Sequence, residues 1–153
     1  MGLVKAVCIS EKKGTAKKSV GKAILIEDFG LENDAHAGKW HRQVSLLPFE
    51  EIEAFKADGA DVRDGSFGEN IITEGIPLKE LPIGTRLKIR DVLLEVSQIG
   101  KECHSRCAIG EAMGRCIMPE EGIFARVLKG GEIEEGCSID VIPKKDTDLK
   151  DRE

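Results

Sequence analysis

Short runs of aliphatic and β-branched residues recur along the chain, separated by segments rich in glycine and charged residues. In the run at residues 92–99, apolar side chains alternate with more polar ones, which is typical of a strand with one buried face. Asp91 separates this run from the preceding one and predicts a hairpin. By the same criteria the sequence predicts about eight strands, at residues 3–10, 20–27, 44–47, 70–73, 85–90, 92–99, 123–128 and 138–142.

The pattern predicts little helix. Phe49, Ile52 and Phe55 form one apolar stripe at helical spacing, between a proline at position 48 and a glycine at position 59. A weaker helix is predicted at residues 108–113. Many short strands and 17 glycines favour a mainly β fold, either a barrel or a sandwich, with a few short helices. One domain is expected over residues 1–143, followed by a charged tail at residues 144–153.

Charge and composition disfavour several classes of function. The net charge of −5 and the aromatic content of 4% are unlike those of nucleic-acid-binding proteins, which present basic faces and stacking rings. No apolar run approaches the ~20 residues that span a bilayer. The first residues also lack the basic and apolar regions of a signal peptide. The chain is therefore expected to be cytoplasmic, with partners that are neither nucleic acid nor membrane.

The strongest chemical signal is a loop at residues 100–107, which contains Cys103 and Cys107 and is predicted to follow a strand. The chain has five cysteines, and their odd number and clustering disfavour a disulfide framework. Positive charge at Lys101 and Arg106 favours the thiolate, which is the form that acts as a nucleophile or as a soft-metal ligand. Cysteine is also commonly a small buried hydrophobe, and Cys8, inside a predicted strand, fits that role.

A second segment, residues 33–43, concentrates groups suited to an anionic or aromatic ligand. It contains His36, His41, Arg42 and the single tryptophan, Trp40. Arginine offers bidentate contacts to phosphate or carboxylate, and tryptophan stacks on flat heterocycles. The separation of the two histidines does not fit a helical zinc motif. The alternative interpretation is a solvated polar loop anchored by the tryptophan.

Two shorter segments also offer anion-binding groups. In the turn at residues 64–70, backbone amides near Gly68 are predicted to surround an anion, with Glu69 and Asn70 supplying further polar groups. The spacing is neither that of a P-loop nor that of a dinucleotide-binding fingerprint. A basic run near the N-terminus contains Lys12, Lys17 and Lys18, and such a run is predicted to be solvated surface that is also able to meet a phosphate.

Taken in order, these segments resemble the MOSC domain family, which includes the C-terminal domain of molybdenum cofactor sulfurases. The resemblance depends on an ordered set of short motifs that extends to about residue 143. The motifs are at residues 12–14, 30–38, 42–47, 68–71, 81–84, 100–107, 122–127 and 130–131. The cysteine loop, together with residues 116–119, is similar to that of small stand-alone bacterial members. Two cysteines, Cys103 and Cys107, compete for the position of the family's single cysteine.

The resemblance implies a closed or nearly closed β-barrel that binds the molybdenum cofactor, which consists of molybdopterin and its molybdenum ion. It implies that Cys103 or Cys107 is the catalytic or sulfur-carrying thiol, with Cys103 as the molybdenum ligand. Implied partners are a cysteine desulfurase, a molybdopterin-processing enzyme or a molybdoenzyme, and pyridoxal phosphate is implied only in a partner sulfurase domain. The residues that the motifs and the resemblance assign to cofactor binding are Lys12, His36, His41, Arg42, Gly68, Asn70, Lys101 and Arg106.

Three functions remain open at the level of sequence. The leading one is a carrier of the cofactor, or of its sulfur, in molybdenum cofactor biosynthesis or delivery. The second is a molybdenum-dependent reductase of N-hydroxylated compounds, which would need a partner because no second domain for electron delivery is evident. The third is a zinc-binding or redox-sensing interaction module that uses Cys103, His104, Cys107 and Cys116.

Overall fold

The fold is known from a computed structural model that describes residues 2–12, 17–100 and 122–143. This part of the chain contains one α-helix, α1 (Phe49–Ala57), and a short 3-10 helix, Leu78–Glu80. Its strands are β1 (Gly2–Ile9), β2 (Lys18–Ser19), β3 (Lys22–Ile26), β4 (Gly30–Leu31), β5 (Val44–Pro48), β6 (Ile71–Glu74), β7 (Arg86–Ile89), β8 (Val92–Ile99), β9 (Ile123–Lys129), β10 (Gly131–Glu134) and β11 (Ser138–Ile142).

Seven of these strands close into a barrel. The order is β1, β6, β5, β9, β8, β7 and β11, and β11 then pairs with β1 to complete the circle. Closure removes the free edges that an open sheet of the same strands would leave. Strands β10, β3 and β4 form a separate three-stranded sheet. The prediction of a mainly β fold with a closed barrel is therefore confirmed.

The predicted strands are all present, with ends that differ by a few residues, and the hairpin at Asp91 joins β7 to β8. Three strands were not predicted, namely β2, β4 and β10. Two of them contain only two residues, and two include glycine, so none carries a periodic apolar signal of its own. The weaker helix at residues 108–113 and the tail at residues 144–153 lie outside the described residues.

Helix α1 makes the one parallel pairing of the described barrel possible. Strands β5 and β6 run parallel, with Leu46 opposite Ile71, and parallel neighbours need a crossover connection. The helix lies on this crossover and buries Ile52 and Phe55 against the outside of the barrel, as the apolar stripe predicted. Phe55 in turn meets Phe67 edge to face, with ring centroids 5.6 Å apart. This contact fixes the turn at residues 64–70 beside the barrel.

Strands near the helix are buried on both faces. All five residues of β5 are buried, because Val44 and Leu46 belong to the core inside the barrel while Leu47 packs beneath α1. Strand β1 shares this arrangement, and a register shift after Val4 accompanies the change of face. Cys8 belongs to the cluster beneath the helix and is fully buried, so its prediction as a core residue is confirmed.

Candidate functional site

A pocket of about 180 Å³ opens between the loop that precedes β5 and the turn that precedes β6. Its walls come from segments that are far apart in sequence, including one residue of β9. Of the predicted binding residues described by the structure, four line this pocket and two do not. The lining residues are His36, Trp40, Arg42, Ser45, Phe67, Gly68, Asn70 and Phe124.

Arg42 supplies a positively charged group to the pocket. Its guanidinium lies over the ring of Phe124, 5.2 Å from the centroid, and its Nε donates a hydrogen bond to Oε1 of Gln98 at 3.1 Å. Among the described residues, no hydrogen bond engages its two terminal nitrogens. The side chain is therefore held in place through Nε, and its terminal N–H groups have the paired donor geometry that binds phosphate or carboxylate.

The anchor of Arg42 also marks the base of the cysteine segment. Gln98 donates through Nε2 to the carbonyl of Gly100 at 2.8 Å, and the Gly100 amide donates to the Gly122 carbonyl at 2.7 Å. Gly100 and Gly122, the described residues on either side of residues 101–121, thus lie at two adjacent points beside β8 and β9. One of these points is linked to Arg42 through a single side chain.

Lys17 is the main site residue that sequence reasoning missed. Its side chain is fully buried, and Nζ lies 2.7 Å from Oδ1 of Asp34, 3.2 Å from Oγ of Ser10 and 2.9 Å from Nδ1 of His36. The three ammonium protons therefore have three partners. The neighbouring Lys18 is exposed, as a basic surface run predicts. The prediction that this run is solvated surface is wrong for Lys17, because Asp34 and Ser10 draw it inward.

The contact with Lys17 determines which nitrogen of His36 carries a proton. An ammonium group has donors and no acceptor, so Nδ1 of His36 acts as the acceptor and the ring proton is placed on Nε2. Asp34 supports the same geometry, because its Oδ2 accepts a hydrogen bond from the His36 amide at 3.3 Å. Trp40 donates its indole N–H to the His36 carbonyl at 2.9 Å. His36 is therefore held from both its backbone and its ring.

Asn70 ties three strands together behind the pocket. Its Oδ1 accepts from the amide and the hydroxyl of Ser45, at 3.0 and 3.1 Å, and its Nδ2 donates to the carbonyl of Cys8 at 3.1 Å. The hydroxyl of Ser45 also lies 3.0 Å from the Gly68 carbonyl. The polar atoms of Asn70 are thus engaged within the protein. Its observed contribution to the pocket is to hold β1 and β5 in register with the 64–70 turn that leads into β6.

The amides of the 64–70 turn bind an anion of the chain itself. Gly65 and Phe67 donate their amides to Oε2 and Oε1 of Glu69, at 2.9 and 3.0 Å. Glu69 has no exposed surface. Burial raises the pKa of Glu69 from 4.5 to about 7, the negative charge of Asp64 adds to this, and the two amide hydrogen bonds oppose it. The predicted nest is present, and the Glu69 carboxylate fills it.

The remaining predicted residues lie elsewhere or outside the described part. His41 is exposed, with its ring edge to face against Trp40, and Lys12 is also exposed. Lys101, Cys103, Arg106 and Cys107 lie outside the described residues, as do His104 and Cys116. The two cysteines within the described ranges, Cys8 and Cys137, are buried and free.

Comparison with known proteins identifies the family. The family model described as "MOSC domain" matches residues 33–140, which include all of the pocket-lining residues. The chain belongs to the MOSC domain family. No curated protein sequence matches the chain. Among the described residues, no helix is long and apolar enough to cross a membrane.

Solved structures share the MOSC fold at low sequence identity. YuaD from Bacillus subtilis has a TM-score of 0.79 at 19% identity, and the match covers 95% of this chain and 98% of that one. YiiM from Geobacillus stearothermophilus has a TM-score of 0.70 at 18% identity, covering 97% of this chain and 78% of that one. YiiM from Escherichia coli has a TM-score of 0.64 at 17% identity, with coverages of 94% and 71%.

The described pocket suits one end of the molybdenum cofactor that the MOSC family typically binds. The half-buried Arg42 can meet a phosphate, and the rings of Trp40, Phe67 and Phe124 border the space that a flat heterocycle needs. Within the described ranges, no group of three or more His, Cys, Asp or Glu side chains could hold a metal ion, and the residues of the predicted zinc module lie outside these ranges. The donor set of this pocket therefore matches an anionic aromatic ligand.

Proposed function

We propose that this MOSC-family protein binds the molybdenum cofactor in the pocket of His36 and Arg42, and acts as a carrier of the cofactor or of its sulfur. The observation that carries the proposal is the placement of Arg42. This cation is fixed by Gln98 and Phe124 beside a small pocket, at the base of the segment that contains the cysteines. A phosphate group on a flat heterocycle matches this combination of charge and rings.

Each lining group has a distinct role in the proposed complex. When bound, the cofactor supplies a molybdenum ion and an anionic pterin phosphate. Arg42 binds the phosphate through its terminal nitrogens, and Nε2–H of His36 donates a hydrogen bond to a ligand oxygen or nitrogen. Trp40 and Phe124 exclude water from the ring, because their apolar faces border the pocket. Asn70 and Ser45 bind no ligand directly and keep the wall in register.

Cys103 is the proposed molybdenum ligand or sulfur carrier, with Cys107 as the alternative and Lys101 and Arg106 as the cations that stabilise the thiolate. These residues lie outside the described part of the chain. Support for their role comes from the contacts of the segment's base with Arg42 through Gln98. We further propose a cytoplasmic protein whose functional unit is residues 1–143. Its proposed partners are a cysteine desulfurase, a molybdopterin-processing enzyme or a molybdoenzyme.

Substitution of Arg42 tests the phosphate contact. When it is purified from a strain that makes the cofactor, the wild-type protein is expected to contain molybdenum and phosphorus together. The Arg42→Gln variant is expected to contain at least tenfold less of both. A tenfold loss corresponds to about 1.4 kcal/mol, which is typical of a charged hydrogen bond. The matched control is Arg90→Gln, because Arg90 forms an exposed ion pair with Glu134. Elemental analysis of both variants provides the measurement. Equal molybdenum contents in the two variants would contradict the proposal.

Substitution of the cysteines tests the thiol. Cys103→Ser is expected to abolish cofactor or sulfur binding and to leave the fold intact, because serine is nearly isosteric and cannot provide a soft sulfur ligand. Cys107→Ser is expected to have a smaller effect. Molybdenum content and the rate of alkylation at several pH values are measured for each variant. If Cys107 is alkylated first and Cys103 does not react, the functional thiol is Cys107. If the double variant binds as much molybdenum as the wild type, a sulfur ligand is ruled out.

The same metal analysis separates the alternative functions. One zinc ion per chain without molybdenum would favour the zinc-binding or redox-sensing module and overturn the cofactor proposal. Molybdenum together with reduction of an N-hydroxylated compound, observed only when an electron-donating partner is added, would favour the reductase. Molybdenum without such turnover, and its transfer to an apo-molybdoenzyme, is the outcome expected for a carrier.

A further inference from the structure

Glu69 is a buried ionisable group that the proposed cofactor contacts do not use. It occupies the interior of the turn at residues 64–70 and has no exposed surface. Both of its carboxylate oxygens accept hydrogen bonds from backbone amides of that turn. The turn also carries Phe67, Gly68 and Asn70 to the wall of the pocket. The shape of this wall therefore depends on a carboxylate that does not touch the pocket.

The turn is joined to Lys17 through a single residue, Gly65. The Gly65 amide donates to Glu69, while the Gly65 carbonyl accepts from the Lys17 amide at 2.9 Å. The two backbones are in close contact, since a Cβ atom on Gly65 would lie 2.1 Å from the carbonyl oxygen of Lys17. Gly65 also has a φ of +89°, which an L side chain rarely adopts. The backbone of Lys17 is thus in direct contact with the turn that Glu69 holds.

Lys17 connects the turn to the pocket, because it contacts both Gly65 and His36. Its ammonium lies 2.9 Å from Nδ1 of His36, and its other partners are Asp34 and Ser10. A displacement of the Lys17 backbone would release Nδ1 of His36, and the ring could then place its proton on either nitrogen. Glu69, Gly65, Lys17 and His36 form one chain of contacts from the buried turn to the pocket.

We propose that Glu69 is a positioning residue for the pocket, which as a carboxylate holds the 64–70 turn against Lys17 and thereby keeps Nδ1 of His36 occupied as an acceptor and the ring proton on Nε2. The inference rests on the proposed function only in taking the pocket as the ligand site. The positioning itself is a property of the ligand-free protein, so it can fail or succeed independently of cofactor binding.

The titration of Glu69 must be distinguished from that of the charged and titratable groups around it. Asp64 belongs to the same turn, Lys17 lies on the adjoining segment and Cys8 faces it from β1. Burial, reinforced by the charge of Glu69, raises the pKa of Cys8 to about 12, so this thiol stays neutral near pH 7. His36 also contacts Lys17, with Nδ1 2.9 Å from Nζ. The amides of Gly65 and Phe67, which donate to Glu69 itself, are therefore expected to report its titration, and any change at Lys17 is assigned to Glu69 only if it is lost in Glu69→Gln.

The first test is a pH titration of the ligand-free full chain, followed by nitrogen-15 NMR. The Gly65 and Phe67 amide signals are expected to shift with one midpoint at about pH 7, as Glu69 gains its proton. The Lys17 amide signal is expected to follow the same midpoint, because its acceptor is the Gly65 carbonyl. If the Gly65 and Phe67 signals titrate while the Lys17 signal stays fixed, Glu69 does not position Lys17 and the proposal is overturned.

The second test uses Glu69→Gln and follows the tautomer of His36 at a pH above 8. The wild type is expected to show Nδ1 as an acceptor, and the variant to lose this signature and show exchange between the two tautomers. Glu50→Gln is the matched control, because Glu50 also accepts a turn amide, from Gly75 at 2.7 Å, but lies on α1 away from the pocket. Gly65→Ala, which keeps Glu69 and displaces Lys17, is expected to give the same loss as Glu69→Gln. An unchanged His36 signature in folded Glu69→Gln would overturn the proposal.

Discussion

Replacement of Lys17 by methionine is expected to destabilise the protein by about 3–5 kcal/mol, the typical effect of removing one partner from a buried ion pair. Asp34 would keep its charge without its ammonium partner, while the side chains of both residues are fully buried in the wild type. Methionine has a length similar to that of lysine, so the loss reflects charge and hydrogen bonding more than volume. The measurement is the free energy of unfolding in urea at pH 7.

Lys18→Met is the matched control, since Lys18 is the next residue and is exposed. Its free energy of unfolding is expected to change by less than about 0.5 kcal/mol. The double variant Lys17→Met with Asp34→Asn is expected to recover part of the lost stability, because it removes the unpaired buried charge. Equal stabilities of the two single variants would show that Lys17 is not paired in a buried site.

The second large effect is a dependence of stability on pH that originates at Glu69. The pKa of Glu69 is raised from 4.5 to about 7 in the folded protein, chiefly by burial. Between these two pH values the folded protein retains a proton that the unfolded chain has released. Stability is therefore expected to fall as the pH rises through this window, by about 3 kcal/mol at about 1.4 kcal/mol per pH unit. Above about pH 7 this contribution stays constant.

Glu69→Gln isolates this contribution from those of other groups. Glutamine cannot ionise, so the stability difference between the variant and the wild type is expected to move in favour of the variant as the pH rises from 4.5 to about 7. The free energies of unfolding of the two proteins also differ by a constant amount at all pH values, because the variant loses one acceptor for a backbone amide. Glu50→Gln is the control for loss of a turn-amide acceptor at an exposed carboxylate. Parallel curves for Glu69→Gln and the wild type would show that Glu69 does not titrate in this window.

The secondary structure was largely predictable because its signals are local. The alternation along β8 and the stripe of Phe49, Ile52 and Phe55 each reflect burial of one face of one element. The short strands β2 and β4 escaped prediction because pairing with β1 and β3 defines them, and two residues cannot show a period. Choosing a barrel over a sandwich required the family resemblance, since the same alternation suits both.

The candidate site was predictable by residue type and only partly by position. His36, Arg42, Gly68 and Asn70 were singled out for their chemistry, and the structure places all four around one pocket. The roles of these four residues were harder to predict from the sequence. Asn70 offers its amide group to Ser45 and Cys8, and the anion held by the turn is a side chain of the turn itself. Such partners lie up to 62 residues away, and no local pattern identifies them.

The sequence by itself determined that this protein is a mainly β protein of the MOSC family with a cysteine-containing segment, a histidine–arginine segment and a glycine-rich turn. Only the tertiary structure decided that Lys17 is buried while Lys18 is exposed, and that Glu69 fills its own nest. The reason is physical. Periodicity and composition depend on neighbours along the chain, whereas the burial and pairing of a charge depend on which distant groups the barrel brings within hydrogen-bonding distance.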